Sequence, residues 1–291
     1  MTTFETGAET FAAARPLAAQ RTRRPREQKL TTRAVILLAT CTLAFLYIPL
    51  VVLVLFSFNS NDITVLPLTG WTLDWYDRAF RNEFMLEALK NSFVVAGAAI
   101  VISQIIGIPT GFALMRWNFP GKVVLKRIVI MPISLPALIH GIALLNYFTM
   151  MGIKLSIVTI MIGHGTIMSS IVVTNLFARL LYFDQRIEEA SADLGAKPWQ
   201  TFLFVTLPNI RSTLIGSAMI TFTVSFDELA LTYFVNGNTN TLPMYIWSML
   251  RQGMTPEINA IGSCVIAGSI ILVGFAIYFL SDKAPAMARP R

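Results

Sequence analysis

Long apolar stretches alternate with shorter polar connections along the chain. Roughly 20 apolar residues form a helix long enough to cross the hydrocarbon core of a bilayer. Six stretches reach that length, at 34–58, 92–115, 128–150, 155–182, 212–235 and 258–280. The pattern therefore predicts an all-α, polytopic membrane protein with six transmembrane helices.

Composition agrees with a membrane protein. Apolar residues make up 55% of the 291 positions and charged residues only 13%, whereas a soluble domain carries about 25% charged residues. Cys41 and Cys264 both fall within predicted spans, and their spacing favours a packing role over a disulfide framework or a metal site.

The distribution of basic residues predicts the orientation in the membrane. Short loops rich in Lys and Arg face the cytoplasm. With the N-terminus inside, the bases that would lie outside are few among the 23 in the chain: Arg78, Arg81, Lys90, Lys154 and Arg251. An N-in, C-in topology follows, and it accounts for much of the net charge of +7 without a nucleic-acid partner.

The two ends of the chain are polar and basic. Residues 1–30 lack apolar periodicity, which predicts a disordered cytoplasmic tail held near anionic membrane lipid. Residues 31–285 form the predicted transmembrane domain, and 286–291 form a second cytoplasmic tail. A cleavable signal peptide is the alternative for the N-terminus, but the apolar run 34–58 is too long and lacks a small-residue cleavage site after it.

Two features shape the predicted bundle. The outer connection 59–91 contains Trp71, Trp75 and Tyr76, which favour a short interfacial helix acting as a lid or scaffold. Prolines interrupt two spans, at Pro109 in the second and at Pro132 and Pro136 in the third. Because proline bends a helix and frees carbonyl groups, these spans are expected to face protein or water.

The segment 183–211, between the fourth and fifth spans, is patterned like a pair of short helices. Apolar residues on one face and acids on the other predict an amphipathic first helix: Ile187, Ala190 and Leu194 against Glu188, Glu189 and Asp193. Gly195 is suited to end that helix, and Pro198 to begin a second one. The second helix has its own apolar stripe, Trp199, Phe202 and Leu203, and is predicted to close at Leu207-Pro208.

Two roles are open for this helix pair. It forms a compact knob that could seat in a groove on a soluble partner. The alternative is a surface hairpin that only braces the fourth and fifth spans.

The same segment resembles the hallmark of the membrane subunits of ATP-binding-cassette (ABC) importers, which is Glu-Ala-Ala, three residues, Gly, nine residues, then Ile-x-Leu-Pro. The matching residues at that spacing are Glu189, Ala190, Gly195, Leu207 and Pro208. Ser191 replaces the second Ala and Val205 replaces Ile, and both replacements are conservative.

The resemblance implies a type I ABC importer permease architecture in the bacterial inner membrane. The helix pair would then be the coupling element for a cytoplasmic ATPase, with Gly195 as the bend and Glu189 as a polar anchor. Implied partners are a second permease subunit, two ATPase subunits and a periplasmic solute-binding protein. The chain contains no phosphate loop ending in Gly-Lys-Ser/Thr, so ATP and Mg²⁺ are expected on the ATPase, and this chain is expected to be neither an enzyme nor a cofactor carrier.

Asp227 and Glu228 are two adjacent acids within the predicted fifth span. Because a carboxylate in hydrocarbon is costly, such residues normally face a bundle interior or a water-filled pathway. Adjacent residues point about 100° apart on a helix, so at most one can point straight into a pathway. The functional interpretation is a negative site for a cationic solute, and the alternative is a pair that caps a helix break or bonds nearby hydroxyls such as that of Ser225.

His140 and His164, in the third and fourth spans, could be considered as metal ligands together with those acids. Lone histidines in membrane helices more often make interhelical hydrogen bonds, and neither has a second ligand at metal-binding spacing on its own helix. We therefore expect hydrogen bonding and no metal.

Within the importer family, the chain is similar to the second membrane subunit of the polyamine (spermidine/putrescine) branch. The resemblance lies in 225–228, 241–243, 246–248 and 255–260. It implies transport of a polyamine or related cationic amine. One position departs from the branch, because Ala137 follows Pro136 where an acid is common, which leaves an opine or an amino-acid derivative as an alternative solute.

Two other classes of function remain for comparison. A secondary transporter could use Asp227 or Glu228 as an ion relay, but it would need inverted repeats that the sequence does not display. An intramembrane hydrolase using His140, His164 and Asp227 lacks a convincing nucleophile or ligand motif.

Overall fold

The computed structural model describes residues 25–62, 68–253 and 255–281, which fold almost entirely into α-helices. In chain order these are α1 Pro25–Phe56, α2 Asp74–Arg81, α3 Glu83–Arg116, α4 Lys122–Ser134, α5 Ala137–Met150, α6 Ile157–Leu181, α7 Arg186–Asp193, α8 Pro198–Thr201, α9 Leu207–Phe226, α10 Thr232–Val235, α11 Leu242–Gln252 and α12 Pro256–Ser281. A π-helical turn, Phe202–Thr206, joins α8 to α9. The all-α prediction is confirmed for these residues.

Several helices are long and apolar enough to cross a membrane. Among the described residues there are four such stretches, or five if the bent pair α4 and α5 counts as one span. The four are Thr32–Phe56, Glu83–Arg116, Ile157–Leu181 and Pro198–Phe226. The apolar part of α12, Pro256–Ile271, is shorter. The count of six spans and the N-in, C-in orientation stay predictions.

The first two spans begin earlier than the sequence predicted. Helix α1 is already formed at Pro25, within the segment predicted as a disordered tail, and residues 1–24 and 282–291 lie outside the described part of the chain. Helix α3 begins at Glu83 and not at 92, because Asn82 caps it: its Oδ1 accepts a hydrogen bond from the Met85 N–H at 3.2 Å.

The short helix predicted in the connection 59–91 is present as α2, and its location at the membrane interface stays a prediction. The indole Nε1 of Trp75 donates to the Asn59 carbonyl oxygen at 2.7 Å, and the hydroxyls of Tyr76 and Ser57 lie 2.6 Å apart. These bonds attach α2 to the chain that follows α1.

The third predicted span, 128–150, is not one continuous helix. Helices α4 and α5 meet at an angle of 111°. The break occurs where Leu135 adopts extended backbone geometry, with ψ 143°, as expected for a residue that precedes a proline. The bend predicted at Pro136 is confirmed, whereas Pro109 and Pro132 are accommodated inside their helices.

The fifth predicted span, 212–235, has wrong bounds at both ends. A continuous helical course begins at Pro198, passes through the π turn and ends at Phe226. Leu207-Pro208 therefore does not close the preceding helix. The π turn ends at Thr206, and the Leu207 N–H bonds to the Phe202 carbonyl in the wider π pattern. The next residue, Pro208, has no N–H to donate to an α-helical hydrogen bond.

The chain divides into two units after Val52. In the unit that begins at Leu53, α3 packs along α6 and α9. Small residues bring α3 and α6 close together, since a Cβ on Gly107 would lie 2.6 Å from Cβ of Val172 and one on Gly111 would lie 2.9 Å from Cδ2 of Leu176.

Among the described residues of this unit, many buried apolar side chains pack into three clusters. Their members are Val95, Phe148, Ile160, Leu231 and Val235 in the first, Ala79, Met85, Leu242 and Ile261 in the second, and Leu176, Leu180 and Ile210 in the third. The first cluster holds the short helix α10, and the third holds the beginning of α9 against the end of α6.

Candidate functional site

The predicted amphipathic helix of the segment 183–211 is confirmed as α7. It ends in a left-handed turn, with Gly195 at φ +84°. The Gly195 N–H bonds to the Ala192 carbonyl at 2.8 Å, and the Ala196 N–H bonds to the Ser191 carbonyl at 3.1 Å. These two bonds form a Schellman motif, which favours glycine because an L side chain is strained at this φ.

Helix α8 begins at Pro198, as the sequence predicted. The Lys197 N–H donates to Oε1 of Gln200 at 2.8 Å and caps the start of α8. The hydroxyls of Ser191 and Thr201 lie 3.1 Å apart and link α7 to α8. We call α7, the Gly195 turn and α8 the docking hairpin.

The apolar stripe of the docking hairpin faces away from the described part of the chain. Leu194 is 90% exposed, and Ile187 and Trp199 are also exposed. Apolar side chains left open in a row are typical of a surface that another protein covers. Phe202, from the second apolar stripe, instead packs edge-on against Phe112 of α3, so one part of this segment contacts the bundle while another stays open.

The residues that match the importer hallmark occupy two places. Glu189, Ala190 and Gly195 are exposed on the docking hairpin. Leu207, half-buried, and Pro208, exposed, lie in the first turn of α9. Their part in coupling stays a prediction.

Glu188, predicted only as one of three acids on a face of the first helix, joins the docking hairpin to the bundle. Its Oε1 lies 2.6 Å from Nη2 of Arg116 at the end of α3 and also accepts a hydrogen bond from the Thr206 hydroxyl. The sequence shows that a base, Arg116, lies at the end of an earlier span and could pair with an acid of this segment. It does not indicate whether that acid is Glu188 or Glu189.

The two acids predicted in the fifth span lie just beyond the end of α9. Asp227 is the C-cap of that helix and is exposed. Glu228 is half-buried, and its Oε1 accepts the Leu231 N–H at 3.0 Å, directly before α10. The placement within a continuous helix was therefore wrong. For Glu228, the geometry agrees with the alternative in which the acid caps a helix break.

Asp227 borders an open cavity of about 370 Å³. The cavity wall includes the aromatic rings of Phe226 and Trp247. A neighbouring cavity of about 390 Å³ shares Trp247 and is bordered by Arg251. An acid and two aromatic residues thus border the same cavity, and both residue types attract a cation.

The imidazole of His164 is buried between helices. Its Nδ1 lies 2.7 Å from the Ser225 hydroxyl and its Nε2 lies 2.9 Å from the Thr232 hydroxyl. The expected interhelical hydrogen bonds are confirmed for His164. Nδ1 of His140, in α5, has no hydrogen-bond partner among the described residues, which also contain no group of three or more His, Cys, Asp or Glu able to hold a metal ion.

Comparison with known proteins identifies relatives over most of the chain. Residues 103–284 match the family described as the binding-protein-dependent transport system inner membrane component. The chain is 34% identical over 260 residues to the putrescine transport system permease protein PotI of Escherichia coli, covering 87% of this chain and 91% of that protein. It is 33% identical over 231 residues to the spermidine/putrescine transport system permease protein PotC of Haemophilus influenzae, covering 79% and 90%.

Solved structures share the fold. A chain of a bacterial ABC transporter that imports the acidic polysaccharide alginate has a TM-score of 0.65 at 16% identity, covering 89% of this chain and 97% of that chain. A chain of the MetNI methionine ABC transporter, in an inward-facing conformation, has a TM-score of 0.55 at 18% identity, covering 69% and 94%. The resemblance to ABC importer permeases, and within them to polyamine permeases, is confirmed.

Proposed function

This chain belongs to the family of binding-protein-dependent transport system inner membrane components, and from that membership we propose that it is one permease subunit of an ATP-driven importer of polyamines or related cationic amines. It is a multi-pass protein of the bacterial inner membrane with the fold of ABC importer permeases. A second permease would complete the solute pathway, two ATPase subunits would supply energy, and a periplasmic binding protein would deliver the solute.

The observation that carries the amine proposal is that the exposed acid Asp227 borders a cavity together with the aromatic residues Phe226 and Trp247. A protonated amine gains both from the negative charge and from the aromatic faces. Relatedness to the putrescine permease PotI and the spermidine/putrescine permease PotC supports the same solute class. Glu228 is already engaged with the Leu231 N–H, so Asp227 is the acid we assign to the pathway.

The exposed stripe of the docking hairpin supports the ATPase as its partner. The side chains of Ile187, Leu194 and Trp199 form an apolar surface on the segment that resembles the family hallmark. A groove on the ATPase that covers this stripe would remove it from water, which is the main source of affinity at such a contact. Closure of the ATPase dimer around ATP would then move the hairpin.

The solute proposal is tested by uptake into proteoliposomes that contain all subunits. We expect Asp227→Asn to raise the KM for putrescine or spermidine about tenfold, equivalent to about 1.4 kcal/mol of binding free energy. Asp77→Asn is the matched control, because Asp77 is an exposed acid that forms an ion pair with Arg81 on α2. Unchanged amine uptake in Asp227→Asn would remove the site assignment.

The docking proposal is tested by co-purification of the ATPase. Leu194→Asp places a charge in the centre of the exposed stripe, and we expect the ATPase subunits to be lost from the complex. Leu73→Asp is the control, because Leu73 is an exposed leucine of the outer connection. Uptake driven by an ion gradient without ATP would instead favour a secondary carrier.

A second solute class follows from Arg251, whose guanidinium borders the cavity next to that of Asp227. An acid and a base that border two cavities sharing Trp247 suit a solute that carries both an amine and a carboxylate. Competition for uptake between diamines, triamines and amino-acid derivatives decides between the two classes. If only the amino-acid derivatives compete, the solute is zwitterionic and the polyamine proposal is wrong.

A further inference from the structure

Glu188 and Glu189 are neighbours on α7 that differ in what surrounds them. The Glu189 residue is exposed, whereas only 14% of the Glu188 side chain is accessible. Glu188 therefore points from the docking hairpin toward the helical bundle, and its carboxylate requires partners there.

Two partners meet that carboxylate at the same oxygen. Nη2 of Arg116, the last residue of α3, lies 2.6 Å from Oε1 of Glu188. The hydroxyl of Thr206, itself 1% exposed, donates to the same atom. Charge-assisted bonds of this kind are roughly twice as strong as neutral ones, and partial burial protects the ion pair from screening by salt.

Aromatic contacts support the same junction. The guanidinium carbon of Arg116 lies 5.0 Å from the ring centroid of Phe112. That ring packs edge-on against Phe202 at 5.7 Å between centroids. Arg116 is thus held by α3 on one side and lies next to the π turn on the other.

Thr206 occupies the point where the π turn passes into α9. It is the last residue of the turn, and the next residue, Leu207, makes the wide-turn hydrogen bond to Phe202. Short π-helical turns are found often at functional positions in helices. Glu188 therefore contacts both the end of α3 and the start of the long helical span that leads to Asp227.

We propose that Glu188 is a positioning residue that transmits movement of the docking hairpin to α3 and α9 through Arg116 and Thr206. The proposal rests on the function proposed above, in which the ATPase moves this hairpin. Because the Glu188 side chain contacts Arg116 and Thr206 of the bundle, we expect it to transmit movement without itself binding the ATPase. Without the junction, the hairpin would move with the ATPase while the spans stay behind.

The test compares uptake with ATP hydrolysis in proteoliposomes that contain the complete transporter. Glu188→Gln keeps the size and an oxygen acceptor for Thr206 but removes the charge that attracts Arg116. We expect the amount of solute imported per ATP hydrolysed to fall about tenfold, within the usual range for coupling between two sites. The ATPase subunits should still co-purify, and hydrolysis should continue.

Charge exchange separates a transmitting role from a merely structural one. Arg116→Glu alone should uncouple transport in the same way, and the double variant Glu188→Arg with Arg116→Glu should recover part of the lost coupling ratio. A structural role would lower the amount of folded complex without changing uptake per ATP in the complexes that remain. Thermal unfolding of each purified variant measures that effect independently, so a poorly folding single variant does not obscure the result.

The control is Asp77→Asn, which removes an exposed ion pair with Arg81 on α2 and should leave the coupling ratio unchanged. The proposal is overturned if Glu188→Gln imports solute with the wild-type ratio, if charge exchange recovers nothing, or if the ATPase subunits are lost from Glu188→Gln. Failure of the proposed function would look different, since the wild-type chain itself would then import solute without ATP or fail to bind an ATPase.

Discussion

Nε2 of His164 lies 2.9 Å from Oγ1 of Thr232, and this contact fixes the proton on the imidazole. The Thr232 hydroxyl donates its only proton to the Glu228 carbonyl at 2.8 Å, so it must accept from His164. The proton is therefore on Nε2, and Nδ1 accepts from the Ser225 hydroxyl. His164 thus links α6 to the end of α9 and to α10, on both sides of Asp227 and Glu228.

His164→Ala is expected to destabilise the chain. It removes a buried side chain and leaves the hydroxyl of Ser225 without an acceptor, which costs about 1–3 kcal/mol for each buried polar group left unpaired. Thermal unfolding in detergent measures the loss, and His164→Gln should recover part of it through a bond to Thr232. His140→Leu is the control, because Nδ1 of His140 has no hydrogen-bond partner to lose among the described residues. Equal losses of stability in His164→Ala and His140→Leu would contradict this account.

Gly195→Ala is expected to strain the docking hairpin. An L residue in the left-handed region costs roughly 1–2 kcal/mol, and φ is +84° at this position with open space around it. Gly121, at φ +86° and equally open, is a matched control outside the docking hairpin. We expect both alanine variants to lose similar stability in thermal unfolding, but only Gly195→Ala to weaken co-purification of the ATPase. Weaker association in Gly121→Ala as well would mean that global destabilisation is the cause.

Gly107→Ala is expected to force α3 and α6 apart. The added Cβ would lie 2.6 Å from Cβ of Val172, and overpacking of this kind costs about 1–3 kcal/mol. Val172→Gly in the same chain removes that Cβ and should relieve the clash, whereas Val172→Ala keeps it and should recover little. Gly97→Ala on the same helix meets nothing within 4 Å and should leave the melting temperature unchanged or raise it slightly, since alanine favours a helix by up to about 1 kcal/mol over glycine.

The fold is expected to lose stability at high pH, when Tyr245 ionises. Burial raises the pKa of Tyr245 above its usual range, the carboxylate of Glu257 raises it further, and the hydrogen bond from Asn82 opposes both. A group whose folded pKa is raised stabilises the fold below the unfolded pKa, near 10, and loses that contribution as pH rises through the folded pKa.

The prediction is checked by titrating the ultraviolet absorbance of tyrosinate and by following unfolding above pH 10. Glu257→Gln should lower the pKa of Tyr245, because it removes the nearby negative charge. Tyr245→Phe should lose less stability than the wild type between neutral and alkaline pH. If Tyr245→Phe loses as much stability at alkaline pH as the wild type, ionisation of other groups causes the loss.

Much of the docking hairpin was predictable because its signals are local. Gly195 and Pro198 act through their own backbone, so the end of α7 and the start of α8 could be read from a few neighbouring residues. The exposed stripe also followed from helical spacing. Which of Glu188 and Glu189 faces the bundle could not be read, because Arg116 and Thr206 come from segments distant in sequence.

The sequence by itself determined that the chain is helical, enters a membrane and carries a hinged hairpin, because apolar length, helical period, glycine and proline are properties of short segments. Only the tertiary structure decided where the helices break and what the acids do. The span ends at Phe226, and beyond it the Glu228 carboxylate accepts the Leu231 N–H while the Thr232 hydroxyl donates to the Glu228 carbonyl. His164 of α6 holds the hydroxyls of Ser225 and Thr232 on both sides of this break. The bonds of His164 depend on groups from other helices, and no local pattern specifies them.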